Sequence, residues 1–169
     1  MQDGKRLSAI KFTNRNGLVL RQISFSASYQ TSASGTTINN RNKRMFLESV
    51  SIRGGEISTV SAPLQYSFTY NDYGGLPSRL AYSQDYYGYY NGKTSNPSLI
   101  PALASGDVNY SHYNNGTGGA LVTFGDRSID TVYAKKGLLT RITYPTGGHD
   151  TLIYIANRFL PQGGTEKLA

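Results

Sequence analysis

The sequence predicts a mainly β fold: an antiparallel sheet of repeated hairpins, with one short helix and a long tyrosine-rich insertion. Three observations predict this fold. Apolar and polar residues alternate with a period of two in several segments. The 169 residues include 19 glycines and 14 tyrosines, a composition that suits strands with one solvated face and many turns. A strand-turn-strand pattern occurs three times. A chain of this length can bury a core without disulfides, so we expect a single domain over residues 1–169.

The first hairpin unit covers about residues 6–30. An apolar strand precedes Asn16 and Gly17, and this pair predicts a type I′ turn because both residue types tolerate positive φ. In the return strand, the alternation slips by one position between Leu20 and Ile23. A slip in a period of two predicts a β-bulge at this point.

The second and third units, about residues 46–70 and 138–156, follow the same plan. Each has a six-residue first strand, a glycine turn and an aromatic-rich return strand. The third turn has the order Pro-Thr-Gly-Gly, in which proline presets the first central φ and the glycines supply positive φ. The agreement of the three hairpin units in strand, turn and return strand predicts a repeat. The expected turn residues of the three units are Asn16, Gly17, Gly54, Gly55, Pro145, Gly147 and Gly148.

The remaining segment, about residues 71–136, is predicted to be an insertion between the second and third units. It contains the one predicted helix, over Ile129–Lys136. Asp126 or Ser128 is suited to cap the start of this helix, and Gly137 is placed to end it. The helix would be about two turns long and would depend on packing for its stability.

Two segments carry a resemblance to a known family. Residues 137–148 read Gly-Leu-Leu-Thr-Arg-Ile-Thr-Tyr-Pro-Thr-Gly-Gly, with Tyr154 following, and residues 70–76 read Tyr-Asn-Asp-Tyr-Gly-Gly-Leu. Together with the three hairpins, these segments resemble the RHS/YD-repeat proteins of bacteria, in which similar units join β-hairpins into a spiralling sheet. The tyrosine-rich stretch is similar to a divergent branch that lies upstream of the regular repeats.

The resemblance implies a non-enzymatic structural segment of a large protein that is secreted or held at the cell surface. Its partners would be other segments of the same protein. The chain begins inside a strand pattern and ends in a polar tail, and from such ends we expect a segment cut from a longer protein. The tandem short repeats, the core that precedes a toxin and the toxin domain itself are missing, so toxin activity is not transferred.

An aromatic cluster in the insertion is the main candidate for binding. Aromatic rings stack on sugars and peptides, and polar neighbours add hydrogen bonds, so the cluster predicts a surface for a glycan or peptide, including a protein at the cell surface. The other interpretation is that alternate tyrosines pack beneath the insertion as core residues. We expect the structural role, with binding as the alternative. The cluster consists of Tyr82, Gln84, Asp85, Tyr86, Tyr87, Tyr89, Tyr90 and Asn91.

The net charge of +7 does not by itself predict a nucleic-acid partner. The tightest basic cluster, Arg41, Lys43 and Arg44, is shorter than the basic stripes of nucleic-acid-binding proteins. Basic residues on strand edges and loops also prevent pairing with other chains. We therefore expect no nucleic acid. We also expect no membrane span in this chain, because no run approaches the ~20 apolar residues required.

No reaction is predicted from the titratable residues. His112 and His149 lie far apart in the sequence, and the neighbouring His149 and Asp150 would point to opposite faces of a strand. The spacing of Asp107, Asp126 and Asp130 does not match a calcium loop. We expect no catalytic residue, no metal and no cofactor, and hence no enzyme.

Overall fold

The computed structural model describes residues 5–32, 42–54, 62–101, 124–159 and 167–168. These residues form a six-stranded and a two-stranded sheet, both antiparallel, which confirms the predicted mainly β class. The large sheet contains β1 (Ala9–Thr13), β2 (Val19–Thr31), β3 (Lys43–Gly54), β4 (Leu64–Tyr70), β5 (Leu139–Thr143) and β6 (His149–Thr151). The small sheet pairs β7 (Arg158–Phe159) with β8 (Lys167–Leu168).

The strands of the large sheet lie side by side in chain order, from β1 to β6. The pairs β1–β2, β3–β4 and β5–β6 coincide with the three hairpins expected from sequence. The longest pairing joins β2 to β3, from Arg21 opposite Gly54 to Thr31 opposite Lys43. The sheet is therefore an up-and-down meander in which hairpins pair with one another as well as within themselves.

The register separates the sheet into one apolar and one polar face, because residues directly opposite one another share a face. Residues that face one another across neighbouring strands form a row. Two apolar rows lie on the same face, because residues two positions apart in a strand point the same way. Serine, threonine and glutamine form the rows between them. The apolar rows are Ile10, Ile23, Ile52 and Leu64, then Phe25, Val50 and Tyr66; the polar rows are Ser24, Ser51 and Gln65, then Ser26, Ser49, Ser67 and Thr143.

The first and third hairpins have the same turn. In the first, Asn14 N donates to Leu18 O at 2.9 Å and Gly17 N donates to Asn14 O at 3.0 Å; Tyr144 and Gly147 make the matching bonds in the third. Gly17 and Gly147 have φ of 81° and 86°.

The predicted type I′ turn at Asn16 is wrong, because Asn16 does not adopt positive φ and a single left-handed glycine closes a longer turn. Pro145 occupies the position that suits its fixed φ. Gly148 contributes no positive φ, so Gly147 alone closes the third turn. Gly54 is the last residue of β3, and Gly55 lies outside the described residues.

The β-bulge predicted between Leu20 and Ile23 has a counterpart in the pairing of β1 with β2. The register of β1 and β2 skips Leu20, because Phe12 pairs with Arg21 and Thr13 with Val19. The predicted irregularity is thus present, at the start of the expected span.

The two-turn helix predicted over Ile129–Lys136 is only a 3-10 turn at Tyr133–Lys135. The capping carboxylate belongs to Asp130, whose Oδ1 accepts the N–H groups of Val132 and Tyr133 at 2.9 and 3.0 Å. Neither Asp126 nor Ser128 provides the cap. The 3-10 turn ends at Lys135, with Lys136 as its C-cap, and Gly137 follows with φ of 78°.

The insertion is fastened to the sheet where it leaves β4 and re-enters β5. Asn71 N donates to Leu138 O at 2.9 Å, and the Asn71 side-chain amide donates to Lys135 O at 3.2 Å. The ammonium group of Lys136 pairs with the carboxylate of Asp72. These contacts bring both ends of the insertion together, although they lie far apart in the chain.

Candidate functional site

The aromatic cluster forms a fourth hairpin, which we call the tyrosine turn (residues 82–91). Gln84 and Tyr90 form an isolated antiparallel bridge. Asp85 N donates to Tyr89 O at 2.9 Å, and Gly88 N donates to Asp85 O at 3.2 Å. Gly88 has φ of 86°. The same two backbone bonds and the same left-handed glycine close the first and third hairpins, so the insertion contains the turn used by the sheet.

Asp85 determines the shape of this turn. Its side chain is buried, with 1% of the residue exposed, and Oδ1 accepts the N–H groups of Tyr87 and Tyr89, each at 2.9 Å. Asn14 does the same in the first hairpin, where its Oδ1 accepts two backbone N–H groups at 2.9 Å. An Asn or Asp three positions before a glycine is the sequence signal that these two turns share.

Arg127 binds the backbone of the tyrosine turn, and the sequence did not predict this role. Its Nε donates to Asp85 O at 3.1 Å, its Nη2 donates to the same oxygen, and its Nη1 donates to Leu99 O at 2.8 Å. The guanidinium carbon lies 5.3 Å from the centre of the Tyr86 ring. Such planar, multiply bonded contacts suit arginine rather than lysine. No local pattern indicates a partner that lies 42 residues away in the chain.

Asn91 and Asn96 complete the base of the tyrosine turn. Asn91 is 1% exposed, and its side-chain amide donates to the carbonyl groups of Asp126 and Ser128 at 2.9 and 3.2 Å. The Asn96 amide donates to Asp126 O at 2.8 Å and to Tyr82 O at 3.1 Å. Both amides therefore bind the turn to the segment that precedes the 3-10 turn.

The tyrosine rings are divided between solvent and packing. Tyr82, Tyr86, Tyr87 and Tyr89 are exposed, Tyr87 most of all at 65%. Tyr90 is half-buried and packs edge to face on Tyr133, with ring centres 5.2 Å apart. Burial, and then the neighbouring Tyr133, raises the pKa of Tyr90. One of the five rings thus packs within the insertion, and four are presented at the surface.

The polar side chains of the cluster form hydrogen bonds within the chain. The Gln84 side-chain amide donates to Ala81 O at 2.9 Å, while Asp85 and Asn91 have the internal partners described above. Their predicted role in hydrogen bonding a ligand stays a prediction. What the tyrosine turn presents outward is aromatic surface on a closely hydrogen-bonded backbone.

A groove of about 460 Å³ runs beside the tyrosine turn. Its lining includes Tyr87, Tyr89, Tyr154, Ile155, Ile129 and Leu138. A volume of this size is within the range of small-molecule sites, which are usually apolar with a few polar groups. Lys135 provides a charged group at this groove.

The other sequence candidates that lie within the described residues do not assemble into a reactive group. His149 is exposed on β6, and the Tyr144 hydroxyl donates to Asp150 Oδ2 at 2.5 Å. This bond raises the pKa of Tyr144. Within the described ranges no group of three His, Cys, Asp or Glu side chains could hold a metal ion, and no helix has the length and apolar character to cross a membrane. Arg41, Asp107 and His112 lie outside these ranges.

Comparison with family models, with curated proteins and with solved structures found no match to this chain. The RHS/YD-repeat relationship therefore stays a prediction. The geometry of the sheet and of the tyrosine turn is the remaining guide to function.

Asp126 provides a pH test of the contacts beneath the tyrosine turn. Hydrogen bonds from the hydroxyl and N–H of Ser128, followed by Lys93, lower the pKa of Asp126 from 3.8 to about 2. A lowered pKa contributes stability fully above pH 3.8, and this contribution is lost as the pH falls through about 2.

We expect Asp126→Asn to lower the free energy of unfolding by about 0.5 kcal/mol near neutral pH, a small effect because the carboxylate is exposed and screened. Urea unfolding of both proteins across this pH range measures the difference, which should disappear near the lower pKa. A difference that persists in stronger acid would contradict the assignment.

Proposed function

We propose that this chain is a non-enzymatic structural module: a β-repeat segment of a large secreted or cell-surface protein of the RHS/YD-repeat kind. The observation that carries the proposal is the uncovered apolar face of the six-stranded sheet. Among the described hydrophobic residues, Phe46 is the one that is buried. A face of this kind is expected to be covered by other segments of the same protein.

The apolar face is exposed at the two ends of one row and partly buried elsewhere. Leu64 is 60% exposed, and Ile10 is 38% exposed at the opposite end of the same row. Phe25 and Val50, in the neighbouring apolar row, are partly exposed to solvent. Within the described chain no second layer covers these rows, whereas sheets of soluble domains normally bury one face.

The repeated turn geometry also supports a hairpin-repeat module. Turns 14–18, 85–89 and 144–148 share two backbone hydrogen bonds and a left-handed glycine. Two of them connect strands of the sheet, and the strands add in chain order. Units that each extend a sheet by one hairpin suit a repeat array, in which each unit contacts its neighbours.

The structural proposal predicts dye binding by the apolar face. We expect the isolated chain to bind a hydrophobic fluorescent dye strongly, and the double variant Phe25→Thr, Val50→Thr to reduce the fluorescence by roughly half. The matched control, Ser26→Thr with Ser49→Thr, alters the polar face of the same two strands and should leave it unchanged. Adding the polypeptide that adjoins this segment in its parent protein should displace the dye.

Dye binding no stronger than that of a fully packed domain would contradict the proposal. The same holds if the adjoining polypeptide leaves the fluorescence unchanged. Circular dichroism of each variant checks that the strands are kept.

A second candidate function is glycan or peptide binding at the tyrosine turn. It is favoured by three exposed rings, Tyr86, Tyr87 and Tyr89, on a turn that the buried Asp85 and Arg127 hold in place. Two of these rings line the groove of about 460 Å³. Rigid aromatic side chains lose little conformational entropy when they bind, so such a surface is suited to stacking on a sugar ring.

Binding is tested on a glycan and peptide array, followed by titration of any hit. Tyr87→Ala and Tyr89→Ala should each weaken a groove ligand roughly tenfold. Tyr29→Ala is the matched control, since Tyr29 is also an exposed tyrosine but lies on β2. An array without hits, or equal losses in all three variants, would reject this second function.

A further inference from the structure

A second cavity, of about 550 Å³, lies between the sheet and the tyrosine turn. The start of β3, the loop around Leu76 and Arg79, the tyrosine turn and the segment 134–138 all line it. Four of its lining residues are basic, and none of the described lining residues is acidic. The basic residues are Lys43, Arg44, Arg79 and Lys136.

The four cations are not equally neutralised. The ammonium group of Lys136 pairs with Asp72, which raises the pKa of Lys136. Lys43, Arg44 and Arg79 form no ion pair with any residue in the described part of the chain. Basic side chains on a solvated surface tolerate this, but Arg44 is half-buried.

Arg44 has an unused donor inside the fold. Its Nη2 donates to Pro77 O at 3.1 Å, whereas its Nε is buried and has no hydrogen-bond partner. Burial, and then repulsion by Arg79, lowers the pKa of Arg44. Buried donors without a partner are rare in folded proteins, and each requires an explanation. The buried Nε itself is closed to a ligand, but two repelling guanidinium groups line one cavity, and an anion between them would offset their repulsion.

Several other residues that line the cavity are apolar or aromatic. Phe46 and Leu76 lie beside Tyr89 and Tyr90, and Phe46 is further fixed by stacking on Tyr73 at 4.7 Å between ring centres. A ligand that fits this lining carries an anionic group on a compact, partly apolar body.

We propose that this cavity binds an oxyanion, a carboxylate, sulfate or phosphate group on a small ligand, between the guanidinium groups of Arg44 and Arg79. The guanidinium groups of Arg44 and Arg79 both donate to the oxyanion, and Arg79 is exposed. Guanidinium groups suit this role because their N–H donors match the oxygens of such groups. This proposal is independent of the structural role proposed for the sheet. It is also independent of ligand binding in the groove of about 460 Å³, which Tyr89 lines as well.

The test is a set of three titrations of the whole chain, with sodium sulfate, sodium phosphate and sodium glucuronate. Each titration is monitored through the NMR signal of the Arg44 side-chain Nε–H. We expect at least one of the three to shift this signal saturably, and the preferred salt identifies the oxyanion. Arg79→Gln, which alters an exposed residue, and Arg44→Lys, which keeps the charge but removes the guanidinium, should each weaken binding about tenfold.

Arg53→Gln is the matched control, because Arg53 is exposed on the same strand, β3, but does not line the cavity. It should leave the affinity unchanged. A loss in Arg53→Gln equal to that in Arg79→Gln would overturn the proposal in favour of diffuse surface charge. A titration in which none of the three anions shifts the Arg44 signal saturably would overturn it outright.

Discussion

Asp85→Ala is expected to lower the free energy of unfolding by about 3 kcal/mol, the largest effect of any polar substitution in the tyrosine turn. The substitution leaves the N–H groups of Tyr87 and Tyr89 without their carboxylate partner in a buried position. A hydrogen bond to a charged group contributes about 1.5–3 kcal/mol, and the two lost bonds share one acceptor atom. Urea unfolding measures the loss, and amide hydrogen exchange at Tyr87 and Tyr89 should accelerate roughly a hundredfold.

Asp85→Asn is the matched control for this prediction. Asn14 already performs the same task with an amide oxygen in the first hairpin, so asparagine at position 85 should retain most of the stability. If Asp85→Asn costs as much as Asp85→Ala, the charge rather than the acceptor geometry would be responsible. An Asp85→Ala protein as stable as the native chain would contradict the role given to this carboxylate.

Gly92→Ala is expected to lower the free energy of unfolding by about 3 kcal/mol, through two causes. Gly92 has φ of 74°, a conformation that costs a residue with a Cβ about 1–2 kcal/mol. A Cβ at this position would also lie 2.5 Å from two atoms of the Tyr133 ring, and overpacking of this kind adds about 1–3 kcal/mol. Urea unfolding measures the sum.

Gly88→Ala separates the two causes. Gly88 has φ of 86°, and no atom lies within 4 Å of a Cβ added there. This variant should lose only about 1 kcal/mol, the conformational part. Equal losses in Gly88→Ala and Gly92→Ala would show that the contact with Tyr133 is unimportant, and the packing of that ring against the tyrosine turn would have to be revised.

The strands of the sheet were predictable because their signal is local. Alternation with a period of two defines which residues share a face, and glycine marks the turn that follows. The turn type at Asn16 was not predictable in the same way, since Asn-Gly is also compatible with a longer turn closed by Gly17 alone. The helix prediction failed because the Asp130 cap sets a later start, at Val132 and Tyr133, and the backbone is already extended at Lys136, so only one 3-10 turn fits between them.

The candidate site was predictable in composition but not in arrangement. Sequence identified the tyrosines, yet it could not show that Tyr90 packs while Tyr87 faces solvent, because the cluster lacks a regular period. It also could not show that Asp85 is buried, since a carboxylate in a polar stretch is usually solvated. Arg127 depends on contacts between distant parts of the chain, which only the folded structure brings together.

The fastening of the insertion at Asn71 has a consequence for how the protein folds. Hairpins close short loops, but Tyr70 and Leu139 pair across roughly 70 residues, and the entropy of closing so long a loop opposes that step. Pairings between residues close in sequence form faster than distant ones. We therefore expect assembly in two stages: β1 to β4 form an early unit, and the last hairpin joins when Asn71 meets Leu138.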